Sequence, residues 1–265
     1  MRVVPQNFVL YGRRSLKGFG LCGIAAVCGS CAKFPPNSGA GFTAINVTFS
    51  VAGVINPAYI YDVAIASYDI PNPNPSLAPV PVINSSNPNG RMAGSPTEFV
   101  EFPSPAGPQS ANPFTIYQFG TTAQYPNPSD PTNLINLGVY NPSPIAIITN
   151  FQTPWNGGPD QSTLSFTIYT NALPAADGSS GSKLQSLQLN ILTMTRVANL
   201  GSGTRVIDAL GDSRTVSGLN NFLQINLLQS IPYNNANGLE PTGDTFGGTD
   251  PDVDINNFSV TITPP

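Results

Sequence analysis

The chain has 265 residues, enough for one large β domain or two small ones. It contains no histidine, which excludes Ser-His-Asp and Cys-His catalysis, imidazole acid–base chemistry and imidazole metal ligands. Only 9% of the residues are charged, against about a quarter in ordinary soluble proteins, so Asn, Ser, Thr, Gln and loop backbone must carry solubility. The 28 prolines and 25 glycines sit between short apolar runs, which predicts many short strands and turns. The first 30 residues contain Arg2, Arg13, Arg14 and Lys17 and no acid, leaving six basic residues against fourteen acidic ones, a net charge of −8, in the remainder. Phosphate binding needs a basic surface, so nucleic acid is not expected as a partner.

At the N-terminus, residues 1–17 are basic and residues 18–30, GFGLCGIAAVCGS, are small, apolar and uncharged. That apolar run is too short to span a bilayer and has the layout of a signal peptide. Its end, Val27-Cys28-Gly29-Ser30-Cys31, resembles the lipobox of bacterial lipoproteins: Gly29, Ser30 and Cys31 match, while Cys28 stands where Leu is usual. The resemblance implies cleavage after Ser30 and a diacylglyceride on Cys31. The protein would then be exported and held to a membrane by lipid, at the outer membrane or cell surface, with a periplasmic face as the alternative. An ordinary cleaved signal, an uncleaved anchor and thiol chemistry at the Cys28-x-x-Cys31 pair are the competing readings. A redox pair belongs at a helix start after a strand, and a zinc site lacks further ligands here. Arg13-Arg14-Ser15-Leu16 resembles part of a twin-arginine signal, but Gly12 and Lys17 depart from it, so both export routes stay open. Ala32 follows Cys31, which by the same resemblance does not signal retention at the inner membrane.

Residues 31–42 read as a lipidated tether and 43–265 as a single domain. Residues 43–53 alternate Ile45, Val47, Phe49 and Val51 with Asn46, Thr48 and Ser50, the period of a strand with one buried face. Residues 58–66 follow the Asn56-Pro57 turn signal, and the two segments are expected to form a hairpin. Further strands are expected at 97–102, 114–119, 134–140, 145–151, 163–170, 184–195, 205–209, 222–228 and 254–263. No segment carries a capped helical stripe, and 172–177 offers one helical turn at most. The expectation is an all-β chain folded as an antiparallel β-sandwich, with jelly-roll or immunoglobulin-like layers, after an N-terminal signal segment. The proline-rich stretch 71–113 is expected to be extended, either packed on the sandwich as a surface loop or serving as a ligand-binding excursion. VAGVINPAYIYDVAIAS and the later IDALG resemble stretches of secreted bacterial lipoproteins of β-sandwich type, a resemblance that supplies no catalytic residues.

Asp250, Asp252 and Asp254, with Asp244 nearby, form the densest acidic run. Alternate carboxylates in a Gly-flanked loop are a candidate calcium site, the alternative being a solvated turn. Trp155 is the only tryptophan, and with Tyr59, Tyr61, Tyr117 and Tyr140 it is a candidate sugar-stacking platform, the alternative being a partly buried loop aromatic. Glu98 and Glu101, three apart on a strand, face opposite ways and so do not make a glycosidase pair. Asp208 and Asp212 are read as turn residues beside Gly211. The functional expectation is a non-enzymatic envelope protein that binds a glycan or an envelope protein. A self-assembling structural or filament subunit is the second class and a hydrolase the third.

Overall fold

The computed structural model describes residues 41–265, apart from 82–91, 128–129, 143–147, 175–182, 197–205, 216 and 247–249. The signal segment and Cys31 lie outside the described residues. In chain order the strands are β1 (Ala44–Val51), β2 (Tyr59–Tyr68), β3 (Val80–Pro81), β4 (Met92–Ala93), β5 (Glu98–Phe102), β6 (Thr115–Asn127) and β7 (Asp130–Pro142). They continue with β8 (Thr149–Gln152), β9 (Thr163–Tyr169), β10 (Ser186–Thr195), β11 (Val206–Ala209), β12 (Leu223–Asn226), β13 (Tyr233–Asn234) and β14 (Ile255–Thr263). Among the described residues there is no α-helix.

Two antiparallel sheets pack face to face as a β-sandwich. One has the order β13-β14-β1-β9-β8, the other β11-β10-β2-β5-β6-β7 with β12 also on β10. The shared core lies between them. Ile45, Val47 and Phe49 of β1 alternate into it from one sheet, and Tyr61, Val63 and Ile65 of β2 from the other. The period-two pattern of β1 therefore does what its sequence implies: each second side chain is buried and the others line the outer side.

The expected β1–β2 hairpin is not formed. β1 pairs with β14 and β9, while β2 pairs with β10 and β5 in the other sheet. The Asn56-Pro57 turn exists, with the Ala58 and Tyr59 amides donating to Asn56, but it carries the chain from one layer to the other. The physical reason lies in β2 itself. Tyr61, Val63 and Ile65 join the shared core, whereas Ile60 and Ala64 pack into a second apolar cluster with Phe99, Leu192 and Met194. A strand apolar on both faces needs a layer over each, and in the larger sheet β2 has the shared core on one face and the second cluster on the other.

Part of that cover is the proline-rich stretch. Residues 71–81 run across the outer side of the larger sheet, through a short 3₁₀ turn, Pro75–Leu77, capped by Asn74. Two buried amides of β10 fasten it: Gln188 Nε2 donates to the Asn74 carbonyl at 3.3 Å and Asn190 Nδ2 to the Pro79 carbonyl at 3.0 Å. This part of the stretch is a loop packed on the sandwich.

β10 has another peculiarity. On the side away from β2 it is flanked by two short strands end to end, β12 along Ser186–Leu189 and β11 along Leu192–Met194. The chain leaves the sheet at Leu210 and returns at Leu223. Asn190 fills the gap, its Nδ2 also donating to the Asn221 carbonyl at 3.0 Å and its Oδ1 accepting from the Leu210 amide at 3.2 Å. At the other end of the sheet, β5 pairs with β6 only over Thr115–Gln118, so beyond that point β6 and β7 continue as a two-stranded ribbon. The expected strand at 114–119 covers the start of β6, and the one at 134–140 lies within β7.

Candidate functional site

A cavity of about 420 Å³ opens at one end of the sandwich, lined by Val54, Ile55, Asn56 and Pro57 on one side and Pro154, Trp155 and Gln161 on the other. This volume falls in the usual range of small-ligand sites. Its walls are the β1–β2 and β8–β9 connections, joined where the Ile55 amide donates to the Gln161 carbonyl at 2.7 Å. Trp155 is held from below. The Thr153 hydroxyl accepts from its amide, the Thr153 carbonyl takes the amides of Asn156 and Gly158, and its ring stacks on Phe102 at 6.0 Å between centroids and 20° between planes. Phe102 in turn contacts Phe114 at 5.3 Å, and Phe114 contacts Phe166 at the same distance, so the ring is backed by core aromatics from both sheets. Gly158 is required by this turn, because a Cβ there would come within 2.6 Å of the Thr153 carbonyl oxygen.

Of the expected stacking residues only Trp155 lines the cavity. Tyr61 is a correction: its ring is 1% exposed and belongs to the core, its hydroxyl donating to the Asp252 carbonyl while accepting from the Asn56 amide, both at 2.8 Å. Burial pushes that hydroxyl's pKa well up. Tyr59 is half-buried, and its hydroxyl donates to Asp250 Oδ2 at 2.5 Å, a bond that, with burial, raises its pKa. Tyr117 packs against the second apolar cluster, and the Tyr140 side chain lies outside the described ones.

Asp250, Asp252 and Asp254 are not gathered into one ligand set. Each takes its own backbone or side-chain donors. Asp252 Oδ1 accepts from the Val54 amide at 2.9 Å and its Oδ2 from Asn56 Nδ2 at 3.1 Å. Asp250 accepts from Tyr59 and from the Asp252 amide, and Asp254 from the Gly243 amide at 2.9 Å. The run fastens the β1–β2 connection, and with it one wall of the cavity, to the entry of β14.

The carboxylates that do converge are Asp208, Glu240 and Asp244, from which one oxygen each lies within 4.8 Å of the others. Asp208 is thus corrected from turn residue to strand residue: it sits in β11, fully buried. Asp212 is the turn residue, on the surface, ion-paired with Arg214 at 2.8 Å. Burial, followed by the charge of Asp244, pushes the Asp208 pKa up to about 8. Burial, followed by the charge of Asp208, pushes Glu240 up to about 11, and burial also raises Asp244. Sequence reasoning placed Asp244 beside the acidic run but not with Asp208, 36 positions earlier. The available signal was a carboxylate inside the apolar run of β11, VIDA, where alternation alone predicts an exposed or turn residue.

Glu98, read in the sequence only as half of a discarded glycosidase pair, is also buried. It stands opposite Ile65 in the β2–β5 register, on the core side, and Glu101 stands opposite Asp62 on the other side. The separation of the two acids onto opposite faces is as expected. The Thr97 and Ser67 hydroxyls donate to Glu98 Oε2 at 2.5 and 3.3 Å, while Oε1 has no hydrogen-bond partner.

No protein-family model, curated protein or solved structure matches this chain.

Proposed function

We propose that the chain is an exported, lipid-anchored, non-enzymatic β-sandwich protein of the cell envelope that takes a neutral glycan in the cavity beside Trp155. The carrying observation is the cavity's chemistry. A rigidly backed indole, two amide side chains and aliphatic and proline surface line it, with no ionisable side chain among them. Aromatic faces pack on the apolar faces of sugars, and amides serve sugar hydroxyls as both donor and acceptor. Among the described residues the wall has no Asp, Glu, Lys, Arg or His to act as acid or base in hydrolysis, which supports a binding role.

The binding half is tested on an array of neutral glycans. The wild-type chain is expected to bind a subset, with affinity lowered about 10–100-fold in Trp155→Ala, as befits loss of one stacking contact worth about 1–3 kcal/mol. Equal binding by wild type and variant removes the cavity from the account. The address is tested by mass spectrometry of the membrane fraction, with a mature N-terminus at diacylated Cys31 expected. An N-terminus elsewhere, or an unmodified Cys31, overturns the anchor.

A further inference from the structure

We propose that Asp208, Glu240 and Asp244 form a calcium site that ties β11 to the loop before β14. The site is distinct from the cavity, and of the acidic run at Asp250–Asp254 it is Asp254 whose charge reaches Glu240 and Asp244.

Three observations carry it. The first is convergence: the three oxygens lie within 4.8 Å of one another, and two oxygens sharing one Ca²⁺ at 2.3–2.6 Å are at most about 5 Å apart. The second is the pair of oxygens left over. Glu240 is 2% exposed and Asp244 0%, yet Glu240 Oε1 and Asp244 Oδ1 have no hydrogen-bond partner. A buried carboxylate oxygen without a donor is costly, and a cation bound between such oxygens removes that cost. The third is how the carboxylates are aimed. Backbone amides take the opposite oxygens: Gly211 donates to Glu240 Oε2 and Ser213 to Asp244 Oδ2, both at 2.8 Å. Asp208 accepts from the Ala209 amide at 3.0 Å and the Ile255 amide at 2.7 Å. Amide donors favour the ionised carboxylate and fix its direction, and they leave Glu240 Oε1 and Asp244 Oδ1 without a donor.

Binding of a cation would displace the protons that burial keeps on Asp208 and Glu240 and would neutralise the three carboxylates together. Among the described residues no Lys or Arg forms an ion pair with any of the three, and the guanidinium of Arg214 is committed to Asp212 on the surface. The ligand set is all oxygen, without Cys or His, which selects a hard cation over zinc or copper. Calcium suits a buried set of carboxylates better than magnesium, which keeps much of its water and demands tighter octahedral geometry. The ligands come from both sides of the sandwich's end. Asp208 lies in the larger sheet, and through the Ile255 amide it reaches the first residue of β14 in the smaller one. A bound cation would therefore fasten the larger sheet to the loop that leads into β14.

The test uses the purified full-length chain, first stripped with chelator, then given calcium or magnesium. Metal analysis is expected to find about one calcium per chain, and millimolar calcium to raise Tm by about 5–10 °C, with magnesium giving much less. Glu240→Gln is expected to abolish the calcium shift while melting in chelator no lower than wild type, since burial holds the metal-free Glu240 in its protonated form and glutamine is a neutral substitute of the same shape. Asp250→Asn is expected to keep the shift. The proposal is overturned by a wild-type Tm that calcium leaves unchanged. It is equally overturned by a shift that survives Glu240→Gln, or by one lost in Asp250→Asn alone. Should Glu240→Gln not fold, the calcium content and melting of the wild-type chain decide the matter by themselves.

Discussion

Replacing Asn190 with leucine is expected to destabilise the protein by about 2–5 kcal/mol, although leucine has the same branched heavy-atom shape as asparagine. Asn190 is fully buried and meets three backbone groups: it donates to the carbonyls of Pro79 and Asn221 and accepts from the Leu210 amide. Leucine leaves both carbonyls without this donor, each costing about 1–3 kcal/mol. The Leu210 amide keeps its bond to the Ile191 carbonyl, so it adds little. The effect exceeds that of an ordinary polar substitution because one side chain ties three segments: the break between β11 and β12, the loop that closes it, and the proline-rich cover. Urea unfolding measures it as a lower midpoint at similar slope. A change below about 1 kcal/mol would show that the gap in the sheet does not depend on this side chain.

Glu98→Gln is expected to flatten the pH dependence of stability. Burial raises the Glu98 pKa well above its ordinary 4.5, against the opposing hydrogen bonds from Thr97 and Ser67. Above the ordinary value the unfolded chain has lost this proton while the folded chain still holds it. The folded state then binds more protons, and stability falls as pH rises. The contribution of Glu98 is thus fully present below about pH 4.5 and is lost as pH rises toward its raised folded value. Glutamine cannot ionise, so between about pH 5 and 8 the variant should lose less stability than wild type. Asp208, Glu240 and Asp244 are the same in both proteins and cancel in the comparison. Thermal melts across that range measure it, and parallel curves for the two proteins would contradict the assignment.

The strands with one apolar face were readable because their period is local. Ile45, Val47 and Phe49, or Leu164, Phe166 and Ile168, state their own geometry. Their partners were not readable, since pairing is set by layers formed from distant segments: β1 lies against β14, whose residues are about 200 positions away. By sequence the nearest apolar run is the natural hairpin partner, although Ile60 and Ala64 on the second side of β2 mark a strand covered on both faces. Two-residue strands such as β13 carry no periodic signal at all. For the site, Trp155 stood out as a loop aromatic, but the wall facing it comes from residues 54–57, a hundred positions earlier. The acidic residues inverted expectation for a similar reason. Asp250, Asp252 and Asp254 are close in sequence and are dispersed by the separate donors each one meets. Asp208 and Glu240 are distant in sequence and are held together by the bonds from the Phe246 amide to the Ile207 carbonyl and from the Gly211 amide to Glu240 Oε2.

The fold makes the central proposal open to a direct reading, because Trp155 is the only tryptophan and one face of its ring is already committed to Phe102. Titrating the array-selected neutral oligosaccharide into the full-length chain while recording tryptophan emission should give a saturable change. The same affinity should appear by calorimetry and fall in Trp155→Ala. Unaltered emission through a titration in which calorimetry still detects binding would place the ligand elsewhere and contradict the account.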